Sequence, residues 1–125
     1  MSNLIRHRWD DGAVRWTEDD LQMAIVRELR RRGTVFAADF NAGKRNPGRA
    51  QAMGLTAGEP DLRLYLPGGR LLLVELKTDR GTVSKAQKDR HRTLTETGFD
   101  VRVLRAATPA EAVDKIATML GDGNG

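Results

Sequence analysis

Apolar positions begin to recur with helical period after Thr17. Projected at about 100° per residue, Glu18, Leu21, Gln22, Ile25 and Leu29 share one face. The spacing predicts a helix with Thr17 as its N-cap, Glu18, Asp19 and Asp20 in its first turn, and Arg32 before the stop at Gly33. On this projection Glu18 and Gln22 point inward at the N-terminal end, and Asp19 and Asp20 point elsewhere. Val35 to Phe40 reads as a strand. Asp61 to Leu66 alternates with period two, with Leu62, Leu64 and Leu66 on one face and Asp61, Arg63 and Tyr65 on the other. Pro67-Gly68-Gly69 is a turn, and the continuous apolar run from Arg70 to Lys77 suits a central strand covered on both faces. Together the two segments make an antiparallel hairpin. Glu75 and Lys77 share a face of the second strand, and counting back across the turn sets Asp61 opposite that end.

Farther on, Ser84-Lys85-Ala86-Gln87 is a capping box opening a helix to Thr97, stopped by Gly98. Val83, Gln87, His91 and Leu94 form its inward stripe, with Lys85, Lys88 and Arg92 opposite. Gln87 is thus a polar group at an inward position, for which capping is one sufficient explanation. His91 reads as a boundary residue, because no second histidine stands at metal-binding spacing. Phe99 to Arg105 alternates as a strand, and Thr108-Pro109-Ala110-Glu111 is a second capping box that opens a helix to Leu120. Residues 1–16 have no clear period; Trp9 and Trp16 read there as covers for the core or as part of a partner interface, with DNA stacking by either as the less favoured alternative. The stretch 41–58 mixes glycines with Lys44, Arg45 and Arg49 and reads as a long basic loop. The expected order is α-β-β-β-α-β-α, an α/β sandwich with a mixed sheet flanked by helices. An N-terminal extension (1–16) precedes the domain (17–120), and a short tail (121–125) follows it.

Composition narrows the chemistry. The 125 residues suffice for one core, and 39% hydrophobic with 30% charged residues marks a globular chain. With no cysteine, zinc fingers, thiol nucleophiles and disulfides are excluded, which agrees with a reducing cytoplasm. No apolar run approaches the roughly 18 residues of a membrane span, and the N-terminus lacks the apolar core of a secretory signal. A net charge of +4 and a sequence pI near 10.0 suggest a polyanionic partner. Candidate phosphate contacts are Arg30 and Arg31 on the first helix, Lys44, Arg45 and Arg49 in the loop, and Lys85 and Lys88 on the later helix.

Charged groups at the end of a buried sheet are costly unless they pair or hold a metal. Asp61 and Glu75 offer hard oxygen donors suited to Mg²⁺ or Mn²⁺, and the absence of cysteine and histidine ligands argues against zinc. Lys77 can neutralise charge developing on a phosphoryl oxygen or orient an attacking water. A lone Pro-Asp or Glu-x-Lys means little. The ordered combination suits metal-dependent phosphodiester hydrolysis.

At these residues the chain resembles the PD-(D/E)XK nuclease superfamily, and within it the small stand-alone VRR-NUC domains. The resemblance rests on Pro60-Asp61 and Glu75-Leu76-Lys77, on Glu18 to Gln22, on the Gly54 to Asp61 approach, on Gly81 to Gln87, and on Gly98. It covers Glu18 to Ile116 and implies a restriction-endonuclease-like three-layer core. It further implies that Asp61, Glu75 and the Leu76 carbonyl hold Mg²⁺ or Mn²⁺, with Glu18 completing the site directly or through water. Lys77 would be the catalytic lysine, and Gln87 would orient it or the water. The family context implies DNA cleavage leaving a 5′-phosphate, on duplex or branched substrates. It extends to four-way junctions cut by a homodimeric resolvase of viral replication and repair, placed in a host cytoplasm. The first sixteen residues match nothing in the family pattern. The alternative expectation is a nucleic-acid-binding protein that keeps the fold with little activity, which the intact Asp61, Glu75 and Lys77 oppose.

Overall fold

A computed structural model of the chain describes residues 6–8, 14–39 and 47–121. Its elements are β1 (Arg6–Arg8), β2 (Val14–Trp16), α1 (Glu18–Arg32), β3 (Val35–Ala38), α2 (Pro47–Ala52), β4 (Leu62–Leu66), β5 (Arg70–Thr78), α3 (Lys85–Thr97), β6 (Asp100–Ala106) and α4 (Pro109–Met119). The predicted helices and strands are all present. Two features depart from expectation. The N-terminus, whose sequence shows no clear period, contributes an antiparallel pair in which Arg6 is the partner of Trp16, so this stretch supplies a second sheet. Within the predicted long loop, α2 forms and buries Ala50, a small apolar residue too isolated in sequence to announce a helix.

The main sheet has four strands in the order β3-β4-β5-β6, with helices on its connections. The chain divides into two compact units. The first contains β1, β2, α1, the last residues of β5, the C-terminal part of β6, and α4. There α1 packs on α4, and Leu21, Ala24, Ile25, Leu29, Ala112 and Ile116 are buried. Helical spacing of these residues produces the two facing stripes. In the second unit, β4 and β5 pair antiparallel, Leu62 with Val74 and Leu66 with Arg70, across the turn Pro67–Gly69. Leu62, Leu64, Leu72, Leu73 and Val74 form its core.

The helix ends follow the sequence closely. The Thr17 hydroxyl accepts from the Asp20 amide, while the Asp20 carboxylate accepts from the Thr17 N–H at 2.8 Å. That reciprocal bond turns Asp20 inward, where it is fully buried, and corrects the expectation that it points away. Ser84 and Gln87 make the predicted box on α3. At α4, Thr108 caps the Glu111 amide, but the Glu111 carboxylate accepts from Ala107 N–H instead of completing a reciprocal box. Gly33 and Gly98 end α1 and α3 in the left-handed conformation, where a side chain would be strained.

Candidate active site

The hairpin register carries the first half of the site. With Leu62 opposite Val74, the next pair outward sets Asp61 opposite Glu75, as the sequence count predicts. Side chains opposite one another in an antiparallel pair share a face. Asp61 is half-buried, and its carbonyl accepts the Asp39 amide at 2.8 Å, which ties the start of β4 to the end of β3. Glu75 is only 1% exposed. Its Oε2 accepts from the Gln87 side-chain amide at 2.9 Å, while the Gln87 Oε1 accepts from the Ser84 backbone N–H. The same amide thus caps α3 and fixes Glu75. Of the two partners that the resemblance implies for it, the lysine and the water, this bond is to neither: it is to the carboxylate of Glu75.

One turn farther along α3, His91 places Nε2 3.4 Å from Glu75 Oε1. The sequence pattern predicts a boundary position for this histidine, whereas the structure sets it against the buried Glu75. Its signal was its position four residues after Gln87 on the inward stripe, which aims both side chains at one place. An imidazole in this position forms an ion pair with Glu75 only when protonated.

The segment leading to Asp61 is braced by charge. Arg90 donates to Glu59 at 2.7 Å, and Arg63 bonds Asp39 at 3.0 Å while standing 3.7 Å from Glu59. Burial pushes the Asp39 carboxyl up, and the Arg63 hydrogen bond opposes that shift without overcoming it. Gly58 approaches the first turn of α3 so closely that a Cβ there would stand 2.8 Å from the Gln87 nitrogen.

Glu18 and Lys77 belong to the other unit. Glu18 opens α1 and Lys77 stands near the end of β5, 6% exposed, with Nζ 3.8 Å from Glu18 Oε2. The loop after β5 is held by Arg105, whose Nη1 donates to the Thr78 carbonyl at 2.8 Å and to the Gly81 carbonyl. No sequence period pointed to this arginine, since its bonds go to main-chain oxygens. Gly81 lies against both partners of the ion pair: a Cβ there would be in ordinary contact with the Lys77 Cδ at 3.4 Å and Glu18 Oε2 at 3.5 Å.

One carboxylate oxygen from each of Glu18, Asp61 and Glu75 lies within 4.8 Å of the other two. Oxygen donors about 2.0–2.6 Å from a shared cation span separations of this size. The donor set fits a hard divalent ion: three carboxylates, with no thiolate anywhere in the chain.

The basic residues proposed to meet phosphates occupy varied settings. Arg30 is exposed in the last turn of α1. Arg31 and Arg32 bind Glu28, at 2.5 and 2.6 Å, and hold its carboxyl down at about 2. Lys85 pairs with Asp89 at 2.8 Å, Lys88 is exposed on α3, and Arg49 is exposed on α2. Lys44 and Arg45 lie outside the described residues. No described helix is long and apolar enough to cross a membrane.

Comparison with known proteins supplies the family. No curated protein matches the sequence. Among solved structures, a protein described as "VRR_NUC domain protein" is similar with a TM-score of 0.65 and 24% identity, over 86% of this chain and 93% of that one. Another, described as "VRR_NUC domain", has a TM-score of 0.56 and 22% identity, over 81% of this chain and 94% of that one. At such identities the likeness shows the fold. The sequence itself matches the family model of the VRR-NUC domain across residues 15–108, a span that contains Glu18, Asp61, Glu75, Lys77 and Gln87. With a match of that length, the chain belongs to the VRR-NUC domain family and is a nuclease-type protein whose substrate is nucleic acid.

Proposed function

We propose that the protein is a Mg²⁺- or Mn²⁺-dependent DNA endonuclease acting on duplex or branched DNA. The reading is carried by the convergence of Glu18, Asp61 and Glu75 in a chain of this family, with a buried lysine two residues beyond Glu75. Asp61 and Glu75, with the Leu76 carbonyl, would hold the cation, and Glu18 would complete its surroundings. These residues would thereby place a Lewis acid that would make a water more acidic and offset negative charge on the phosphate.

The chain's own groups have separate tasks. Gln87 donates to Glu75 Oε2, so one lone pair of that carboxylate is fixed and the other oxygen is oriented. Lys77 carries its ammonium on a buried stem, which restricts it to a small volume near Glu18. From there it stabilises charge as it develops on the phosphoryl oxygen, or steers the attacking water. Burial strengthens this interaction relative to water. A homodimer would present two such centres, an arrangement suited to cutting opposed strands of a four-way junction.

Gln87→Ala is expected to weaken Mn²⁺ binding about 10- to 100-fold, as loss of a partner that orients a metal ligand does. Calorimetric titration of the protein without DNA measures this independently of cleavage; unchanged affinity would remove Gln87 from the site. Arg30→Ala is expected to lower the salt slope of DNA binding by about one phosphate contact, close to 0.9 in log K against log salt. Fluorescence anisotropy across a salt series reads that slope, and an unaltered slope would exclude Arg30 from the DNA interface.

Activity is tested by incubating linear duplex, single-stranded and four-way DNA with Mg²⁺, Mn²⁺ or EDTA. Preference for four-way DNA would mark a junction resolvase. Metal-dependent binding with no cutting on any substrate would overturn the endonuclease reading.

A further inference from the structure

A cleft of about 510 Å³ is lined by Arg15, Trp16, Thr17, Glu18 and Asp19 from one segment, and by Thr78, Asp79, Arg80 and Gly81 from another. Its size falls within the range of small-molecule sites, about 300–1,000 Å³. Glu18 belongs both to this lining and to the ion pair with Lys77, so the cleft opens beside the proposed reaction centre. Trp16, the last residue of β2, is its aromatic member, and no task in the hydrolysis uses it.

The lining combines three chemistries: an indole, two guanidinium groups, and the carboxylates of Glu18, Asp19 and Asp79. A bare phosphate is poorly matched to it, because the carboxylates outnumber the guanidinium groups. Much of the lining surface is apolar, which suits a flat ring, while a wholly apolar ligand would leave the five charged residues of the lining unused. A nucleotide matches all three, since its base offers a flat face for stacking, its amino edge donates to carboxylates, and its phosphate takes arginine. A base paired within a duplex keeps its faces covered by its neighbours, so only an unpaired one can lie against Trp16.

We propose that this cleft receives one unpaired nucleotide of the DNA substrate next to the cleaved bond, its base stacked on Trp16. Its amino edge is read by Asp19 or Asp79, and its phosphate is met by Arg15 or Arg80. The inference rests on the nuclease reading and deepens it: the site selects DNA with an unpaired nucleotide, such as a branch point or a single-stranded tail, over continuous duplex.

The test compares two DNA duplexes of one sequence, the first with a single unpaired 2-aminopurine at a branch and the second with that base paired. Both are titrated in EDTA with the wild-type protein and with Trp16→Phe, Trp16→Ala and Arg80→Ala. Wild type is expected to bind the unpaired substrate more tightly and to quench its 2-aminopurine fluorescence. Trp16→Ala should lose about 5- to 100-fold in affinity for it, the range of one base–aromatic stack, and little for paired DNA. Trp16→Phe should retain most of the preference. Arg80→Ala, which alters an exposed loop residue, should lower the salt slope by about one.

Equal binding of both DNAs by wild type would overturn the inference, and so would equal losses on both DNAs in Trp16→Ala. Trp16-dependent preference in a protein that cuts no DNA would sink the endonuclease reading and leave the nucleotide site standing. Normal cleavage without any preference would do the reverse.

Discussion

Lys77→Met is expected to reduce DNA cleavage by about 10³-fold, while the protein remains folded and still binds metal. Methionine preserves the length and apolar stem of the side chain and removes only the ammonium. Lys77 is 6% exposed, so the charge it carries acts in a medium less screening than water. Its loss removes a positive charge placed to meet charge developing in the transition state. Removing one partner from a buried pair is usually costly to the fold because a charge remains buried. Here Glu18, which stands 3.8 Å from Nζ, is 42% exposed and can be solvated, and Glu75 retains its bond to Gln87. The melting temperature should therefore fall by only a few degrees, and Mn²⁺ affinity should stay within about tenfold of wild type. Lys77→Arg should not restore full activity, because a planar fork does not occupy the place of a compact ammonium. Single-turnover cleavage of end-labelled DNA gives the rate; a Lys77→Met rate within tenfold of wild type would reject the assigned role.

The second large effect is on stability. Gly58→Ala is expected to destabilise the protein by about 3 kcal/mol, combining left-handed backbone strain with overpacking. Gly58 has φ 81°, and a Cβ would run into the Ala86 carbonyl and stand 2.8 Å from the Gln87 nitrogen. Backbone in the first turn of α3 cannot yield without moving the residue that holds Glu75. Activity should therefore fall with stability. Gly54→Ala is the control: its φ is 87° but nothing lies within 4 Å, so only the strain remains, about 1–2 kcal/mol. Denaturant unfolding of both variants measures the difference. Equal losses would show that close approach to α3 contributes nothing.

Much of the site was legible because its determinants are local. Period two before Pro67-Gly68-Gly69 and a continuous apolar run after it mark a hairpin, and extending its register by one pair brings Asp61 opposite Glu75. The capping box at Ser84 likewise fixes where α3 begins and therefore where Gln87 points. What escaped the sequence depends on partners far along the chain. His91 meets a carboxylate sixteen residues away, and Arg105 binds carbonyls at Thr78 and Gly81. Arg90 reaches back to Glu59, which has no pattern of its own. Asp20 shows a different failure: helical projection turned it outward, whereas its carboxylate accepts the Thr17 N–H and is buried. Helix α2 was hidden because six residues with a glycine and a proline carry almost no periodic signal.

In the proposed function, Glu18, Asp61 and Glu75 hold a divalent ion beside Lys77 for the cutting of DNA. Its most direct test is cleavage of labelled duplex and four-way DNA by wild type and Asp61→Asn, in Mg²⁺, Mn²⁺ and EDTA, beside Mn²⁺ titration of both proteins. The account predicts cleavage by wild type only when metal is present, loss of that cleavage in Asp61→Asn, and a matching loss of Mn²⁺ affinity. Cutting that persists in EDTA, or Asp61→Asn that binds Mn²⁺ and cuts as wild type does, would contradict it.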